Sequence, residues 1–332
     1  YKAERLGNLL GLSNLYLKDD GRNPSASLKD RAGAVAVARA RSLGRKVAAG
    51  ASTGNAASSL ACLSAGTELK PVVFVPKAAP EAKLAQLLVY GATVLSVDGS
   101  YDDAFDLCLA ACEEYGWYNR NTGYNAFTRE GKKTVSFEIA EQSGWTAPDT
   151  VFVPVGDGNI LSGVWKGFVE LDKLGLIDKL PRLAAVQAEG SAAIARAFTS
   201  GRTISPVEGK TVADSIAVSL PRDGEAAVRA LKESKGFAVT VSDAEILEAI
   251  KTTARTEGIF AEPAAAAGVA GLAKAARAGQ LRKNEHITVI ITGNGLKDVA
   301  SARKTVGKPH LIRPDLKDLK RLIASLPKGA LS

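Results

Sequence analysis

Val151-Phe152-Val153-Pro154-Val155 is an unbroken apolar run, and Gly156-Asp157-Gly158-Asn159 follows it at once, leading into a helical pattern from Ile160. A short run without polar alternation reads as a strand buried on both faces, the habit of a parallel sheet covered by helices. The two glycines mark a tight turn from strand into helix. One such unit says little. Its recurrence decides the fold.

The same order of strand, loop and helix repeats on either side. Upstream, strands are read at 47–49, 71–75, 93–97 and from 117, with helices to about 65, over 80–90 and over 101–115. Downstream, strands are read at 183–187, 238–241 and 287–291, with helices at 191–199 and 263–278, and one more opened by Ser242 and Glu245 as a capping box. A short strand is read at 15–18, a helix from Lys29 to about Leu43, and another opening at Arg129–Thr134 and running to about Ser143. Residues 200–237 are polar and irregular, and the tail from Arg303 is basic and reads as packing on the surface. Alternation of this kind means βαβ units and mostly parallel sheets. The expected fold is α/β, with two open three-layer αβα sub-domains: a small one over 46–130 and a large one built from 1–45 and 131–332.

The 332 residues carry a formal charge of +8, with 6 % aromatic residues and the basic residues spread rather than blocked. That excludes the clustered basic face of a nucleic-acid binder. A diffuse positive balance fits an anionic small substrate or serves solubility, and the sequence leaves both open. Cys62, Cys108 and Cys112 are an odd count without a second ligand cluster, so neither a disulfide framework nor a metal site is expected; Cys108 and Cys112 read as buried packing. No membrane span and no signal peptide is read, which makes cytoplasm the expectation. Only His286 and His310 are available to a Ser-His or Cys-His mechanism, and neither has a suggestive context. No methionine occurs, position 1 included; an N-terminal piece or modified methionines absent from the chain would account for it.

Asn23-Pro24-Ser25-Ala26-Ser27-Leu28-Lys29-Asp30-Arg31 places a lysine in the first turn of an almost wholly apolar helix. Positive charge is unwelcome there. An amine held near neutrality can instead act as a nucleophile. Three loops of small residues, 51–55, 156–159 and 292–295, each follow a strand, at the sheet edge where open α/β folds bind ligands. Gly156-Asp157-Gly158-Asn159 is a phosphate-loop candidate, although it matches neither the P-loop nor the dinucleotide fingerprint, and Asp157 would have to point away.

Together Asn23–Arg31, Ser52-Thr53-Gly54-Asn55, Arg129–Thr134, Gly156–Asn159 and Thr292-Gly293-Asn294-Gly295 resemble the fold-type-II pyridoxal-phosphate enzymes, and among them the threonine synthase family most closely. The resemblance implies pyridoxal 5'-phosphate in the cleft between the sub-domains, with Lys29 as its Schiff-base residue and as general base at the substrate Cα. It implies that Asn55 meets the ring hydroxyl, that Gly156, Asp157, Gly158 and Asn159 form the cofactor-phosphate loop, and that Thr292 faces the ring nitrogen. It implies a substrate carboxylate at Ser52, Thr53 and Asn55, and a substrate phosphate near Ser27, Arg129 and Lys133. A hydroxyl partner leaves the ring nitrogen unprotonated, which favours elimination and replacement over transamination. The implied reaction turns O-phosphohomoserine and water into threonine and phosphate, in a homodimer. Serine or threonine dehydratases and phosphoserine-using β-replacement enzymes are the alternative within the same cofactor class.

Overall fold

The computed structural model describes residues 1–79 and 81–326, without the side chain of Ala82. Its strands are β1 Leu15–Asp19, β2 Val47–Ala51, β3 Lys70–Pro76, β4 Thr93–Val97, β5 Tyr118–Asn119, β6 Thr150–Pro154, β7 Arg182–Ala188, β8 Phe237–Val241 and β9 Ile287–Ile291. Its helices are α1 Glu4–Leu10, α2 Lys29–Ser42, α3 Asn55–Ser64, α4 Glu81–Val89, α5 Tyr101–Tyr115, α6 Phe127–Lys132, α7 Thr134–Gln142, α8 Asn159–Lys173, α9 Ala193–Ser200, α10 Gly224–Glu233, α11 Asp243–Glu257, α12 Pro263–Arg277, α13 Val299–Arg303 and α14 Leu316–Ser325.

The strands form two parallel sheets, one in the order β1-β9-β6-β7-β8 and one in the order β4-β3-β2-β5. In the larger sheet, successive residues feed opposite cores. Val151 and Val153 pack with Leu161, Val164 and Phe168 of α8, while Phe152 packs with Ile246 and Ile250 of α11 and the alanines of α12. Fully burying one such side chain contributes about 1.5–3 kcal/mol. Small residues let α12 lie close: a Cβ at Gly271 would overlap the Val186 side chain. In the smaller sheet, Ala49 and Phe74 meet Phe105, Cys108 and Cys112 of α5, and Val73 and Val75 meet Ala57 and Ala61 of α3.

Helix α2 lies between α3 and α6. Glycines permit this on both sides, since a Cβ at Gly33 would run into Ser59 and Leu63 of α3, and one at Gly131 into the Arg31 backbone. The helix therefore bridges the two sheets with Lys29 at its head.

Three expectations change. The helix foreseen from Arg129 to Ser143 is two helices, α6 and α7, meeting at Lys133. The irregular stretch 200–237 contains α10, whose Ala227, Val228, Ala230 and Leu231 are buried. The tail carries α14, which buries no residue. Pro80, foreseen as the start of α4, lies outside the described residues, as do 327–332. Among the described residues, no helix is long and apolar enough to cross a membrane.

Candidate active site

Each sheet has a point where chain order reverses: β2 lies between β3 and β5, and β6 between β7 and β9. Crevices at such points are where open α/β sheets bind ligands. The loops after β2, β5, β6 and β9 all open onto one cavity of about 730 Å³ between the sheets, a size suited to a cofactor with its substrate.

Lys29 enters the cavity from a heavily braced turn. Ala26 takes the left-handed region at φ 64°, which a non-glycine residue holds only when its surroundings fix it. Here the Ala26 N–H donates to Asn23 O at 2.7 Å, and Ala26 O accepts from Asn294 N at 3.1 Å. Leu28 N–H donates to Thr292 O at 2.9 Å, which ties the head of α2 to the end of β9. Behind it, the Ser25 hydroxyl and N–H donate to the Asp30 carboxylate. Arg31 makes a two-pronged pair with Asp20 at 2.6 and 2.9 Å and reaches Glu138 at 2.6 Å. Burial lowers the Lys29 amine from the usual lysine range, Glu262 opposes that, and Arg120 adds to it. The amine is thereby biased toward the neutral nucleophile.

The loop after β6 leads into α8 through Gly158 at φ +89°. A Cβ there would stand 2.8 Å from Ala227 Cβ, so Gly158 requires glycine, whereas one at Gly156 would stand 3.0 Å from Ile216 Cα, a tight approach that favours glycine. The arrangement leaves backbone N–H groups at the N-terminus of α8 to face an anion. Among the described residues, Asp157 takes no part in an ion pair. Its carboxylate accepts from Arg222 N at 3.2 Å and its carbonyl from Asp223 N at 3.0 Å, which docks the 214–223 segment on the loop.

Of the residues singled out from sequence, Lys29, Ser52, Thr53, Asn55, Gly156, Asp157, Gly158, Asn159 and Thr292 line the cavity. Ser27, Arg129 and Lys133 lie outside its lining. Ser27 is wholly buried under the turn. Arg129 pairs with Asp223, and Lys133 sits 2.6 Å from Glu130 and 2.7 Å from Glu170 on the far side of α6. Asn159 accepts from Lys132 and donates to Asp223. Asn55 donates to both oxygens of Glu262, at 2.9 and 3.0 Å, and burial raises the Glu262 carboxyl above its usual range. Glu262, Arg120, Thr122 and Lys132 also line the cavity, although sequence reading assigned none of them a role, Lys132 lying unassigned within the Arg129–Thr134 motif. Arg120 is 3 % exposed, and its Nε and one terminal nitrogen have no partner among the described residues; nor has the Thr122 hydroxyl. Burial lowers the Arg120 guanidinium to about 10.

A family model described as "Pyridoxal-phosphate dependent enzyme" matches residues 1–293. The chain belongs to that family. Among its relatives, threonine synthase of Methanocaldococcus jannaschii is 41 % identical over 98 % of this chain and 81 % of its own. That of Methanosarcina acetivorans is 39 % identical over 97 % and 80 %. Among solved structures, a threonine deaminase from T.th. superposes with a TM-score of 0.76 at 25 % identity, covering 89 % of this chain and 91 % of that one. Threonine deaminase isoform 2 of Solanum lycopersicum, with a TM-score of 0.79 at 23 % identity over 92 % and 86 %, shares the fold.

The cavity passes a test of fit for the pyridoxal-phosphate group. It offers an amine biased toward neutrality, an anion-facing helix terminus entered through Gly158, where only glycine fits, and an amide at Asn55. It also holds buried donors on Arg120 and Thr122 that have no partner among the described residues.

Proposed function

We propose that this chain is a threonine synthase, converting O-phosphohomoserine and water into threonine and phosphate. The observation that carries the reading is the identity of about two residues in five with threonine synthases over nearly the whole chain. The cavity supports it by holding, apart from the 156–159 loop, buried donors on Arg120 and Thr122 that no group among the described residues satisfies.

In this reading Lys29 anchors the cofactor and moves protons at the substrate Cα, a task suited to an amine held below its ordinary range. The cofactor supplies the electron sink for negative charge developing beside its ring. The backbone of 156–159, at the head of α8, holds the cofactor phosphate. Asn55 meets the ring hydroxyl, and Glu262 fixes the orientation of that amide. Thr292 faces the ring nitrogen. Ser52 and Thr53, before the N-terminus of α3, hold the substrate carboxylate. Arg120 and Thr122, rather than the outlying Arg129, Lys133 and Ser27, take the substrate phosphate that leaves from Cγ before water adds at Cβ. The 214–222 segment roofs the cavity and limits the entry of water. A cytoplasmic homodimer is the setting that goes with this reading.

The test is direct. Purified protein supplied with cofactor and O-phosphohomoserine should release phosphate and threonine in equal amounts, and Lys29→Ala should lose both turnover and the visible absorbance of lysine-bound cofactor. Phosphate released from O-phosphoserine alone, or deamination of threonine without synthase activity, would overturn the reading in favour of its relatives.

A further inference from the structure

Adjacent lysines at the end of α6 are wired in opposite ways. Lys133 is paired with Glu130 and Glu170. Lys132 is wholly inaccessible, yet lines the cavity. Its amine donates to Asn159 Oδ1, and no carboxylate among the described residues comes within ion-pair distance. The stem cannot carry the amine out to water. Helix α6 lies so close to α8 that a Cβ at Gly163 would stand 3.0 Å from Lys132 Cβ. A buried ammonium without a counter-charge is among the costliest groups a fold can hold.

The charges around it do not supply one within ion-pair distance. Lys29 on α2 and Arg120 after β5 oppose a charge on the amine, while Asp157 and Asp223 favour one only from further off. Asp157 is engaged by the Arg222 N–H, and Asp223, at the head of α10, by Asn159 and Arg129. Asp30 on α2 is bound to Ser25. On α8, Lys166 and Glu170 are paired with each other and with Glu130 and Lys133. Burial and the two neighbouring basic groups hold the Lys132 amine well below the ordinary lysine range.

We propose that Lys132 is a phosphate-binding residue acting with Asn159: when a phosphate dianion seats at the N-terminus of α8, the amine takes up a proton from solvent and becomes its counter-charge. The proposal rests on the reading of 156–159 as a phosphate loop. Its consequence is linkage. Binding that takes up one proton weakens about tenfold for each unit of rising pH.

The full chain, stripped of cofactor, is titrated calorimetrically with pyridoxal 5'-phosphate and with 5'-deoxypyridoxal, in phosphate-free buffers of different ionisation enthalpy at one mildly alkaline pH. Neither titrant has a free 5'-hydroxyl to close onto its aldehyde, so both present the same aldehyde to Lys29 and the difference in protons taken up reports the phosphate group. The phosphorylated titrant should take up more, by up to one proton. Lys132→Gln should abolish the difference, and Lys133→Gln should keep it. Equal uptake by wild type, or a difference that survives in Lys132→Gln, overturns the proposal. If Lys132→Gln does not fold, the wild-type ratio of the two affinities decides, since a ratio independent of pH also overturns it. Uptake seen only when inorganic phosphate is added to cofactor-loaded protein would place the anion elsewhere and overturn the assignment to the loop. None of these readouts uses turnover, so a failed synthase assay and a failed proton count are distinguishable.

Discussion

Arg31 and Arg120 are both buried arginines close to the same lysine, and their surroundings are opposites. Arg31 is saturated: Asp20 accepts from two of its nitrogens, Glu138 accepts two further bonds, and Thr134 another. Arg120, more buried still, has no carboxylate partner among the described residues and two nitrogens without any hydrogen bond. A guanidinium completed from within the chain holds structure together. One left incomplete within the chain is complete only with an anion from outside. The contrast separates the frame that aims Lys29 from the surface that receives a ligand.

Replacing Arg31 should break the frame. Arg31→Met leaves the buried Asp20 carboxylate without its counter-ion and should lower unfolding free energy by about 3–5 kcal/mol in denaturant titration. Arg120→Met should do the reverse. In phosphate-free buffer its stability should equal or exceed that of wild type, while kcat/KM for O-phosphohomoserine falls by about 10²–10³-fold. Wild type should gain about 2.7 kcal/mol from phosphate at a hundred times its Kd, and the variant should lose most of that gain. A smaller effect belongs to acid. Hydrogen bonding to Arg31, with Lys18 assisting, lowers the Glu138 carboxyl to about 2. Its contribution is fully present above the unfolded carboxylate range and disappears as pH falls toward about 2; thermal melts across that window should show the loss, and Glu138→Gln should flatten it. Least affected should be Lys133→Gln, within about 0.5 kcal/mol of wild type and with unchanged affinity for O-phosphohomoserine.

Most strands were legible because they are apolar runs wedged between turn signals; β6 and β9, buried on both faces, are the plainest. Loops that follow a legible strand inherit its position, which is why 51–55, 156–159 and 292–295 stood out; Lys29 stood out as a lysine in the first turn of an apolar helix, and the roles came with the family resemblance. Arg120 did not stand out. It stands in an unremarkable polar stretch after β5, a strand of two residues, and only tertiary pairing of β5 with β2 turns it inward. Lys132 and Lys133 show the same limit at finer scale. Neighbours on a helix point about 100° apart, and a doublet does not say which one faces the core. Helix α10 was hidden by the polar residues around it, though Ala226-Ala227-Val228 and Ala230-Leu231 carry its apolar face.

The pairing of β1 with β9 joins Leu15–Asp19 to Ile287–Ile291. On a growing chain, β1 therefore waits with an unfilled row of backbone donors and acceptors until residue 291 has been made. The smaller sheet needs only residues 47–119 and has no such delay. Synthesis from the N-terminus thus favours an early small sheet beside a large one that closes late. For most of that interval β1 is an open edge, the place where this chain is most exposed to pairing with a neighbour.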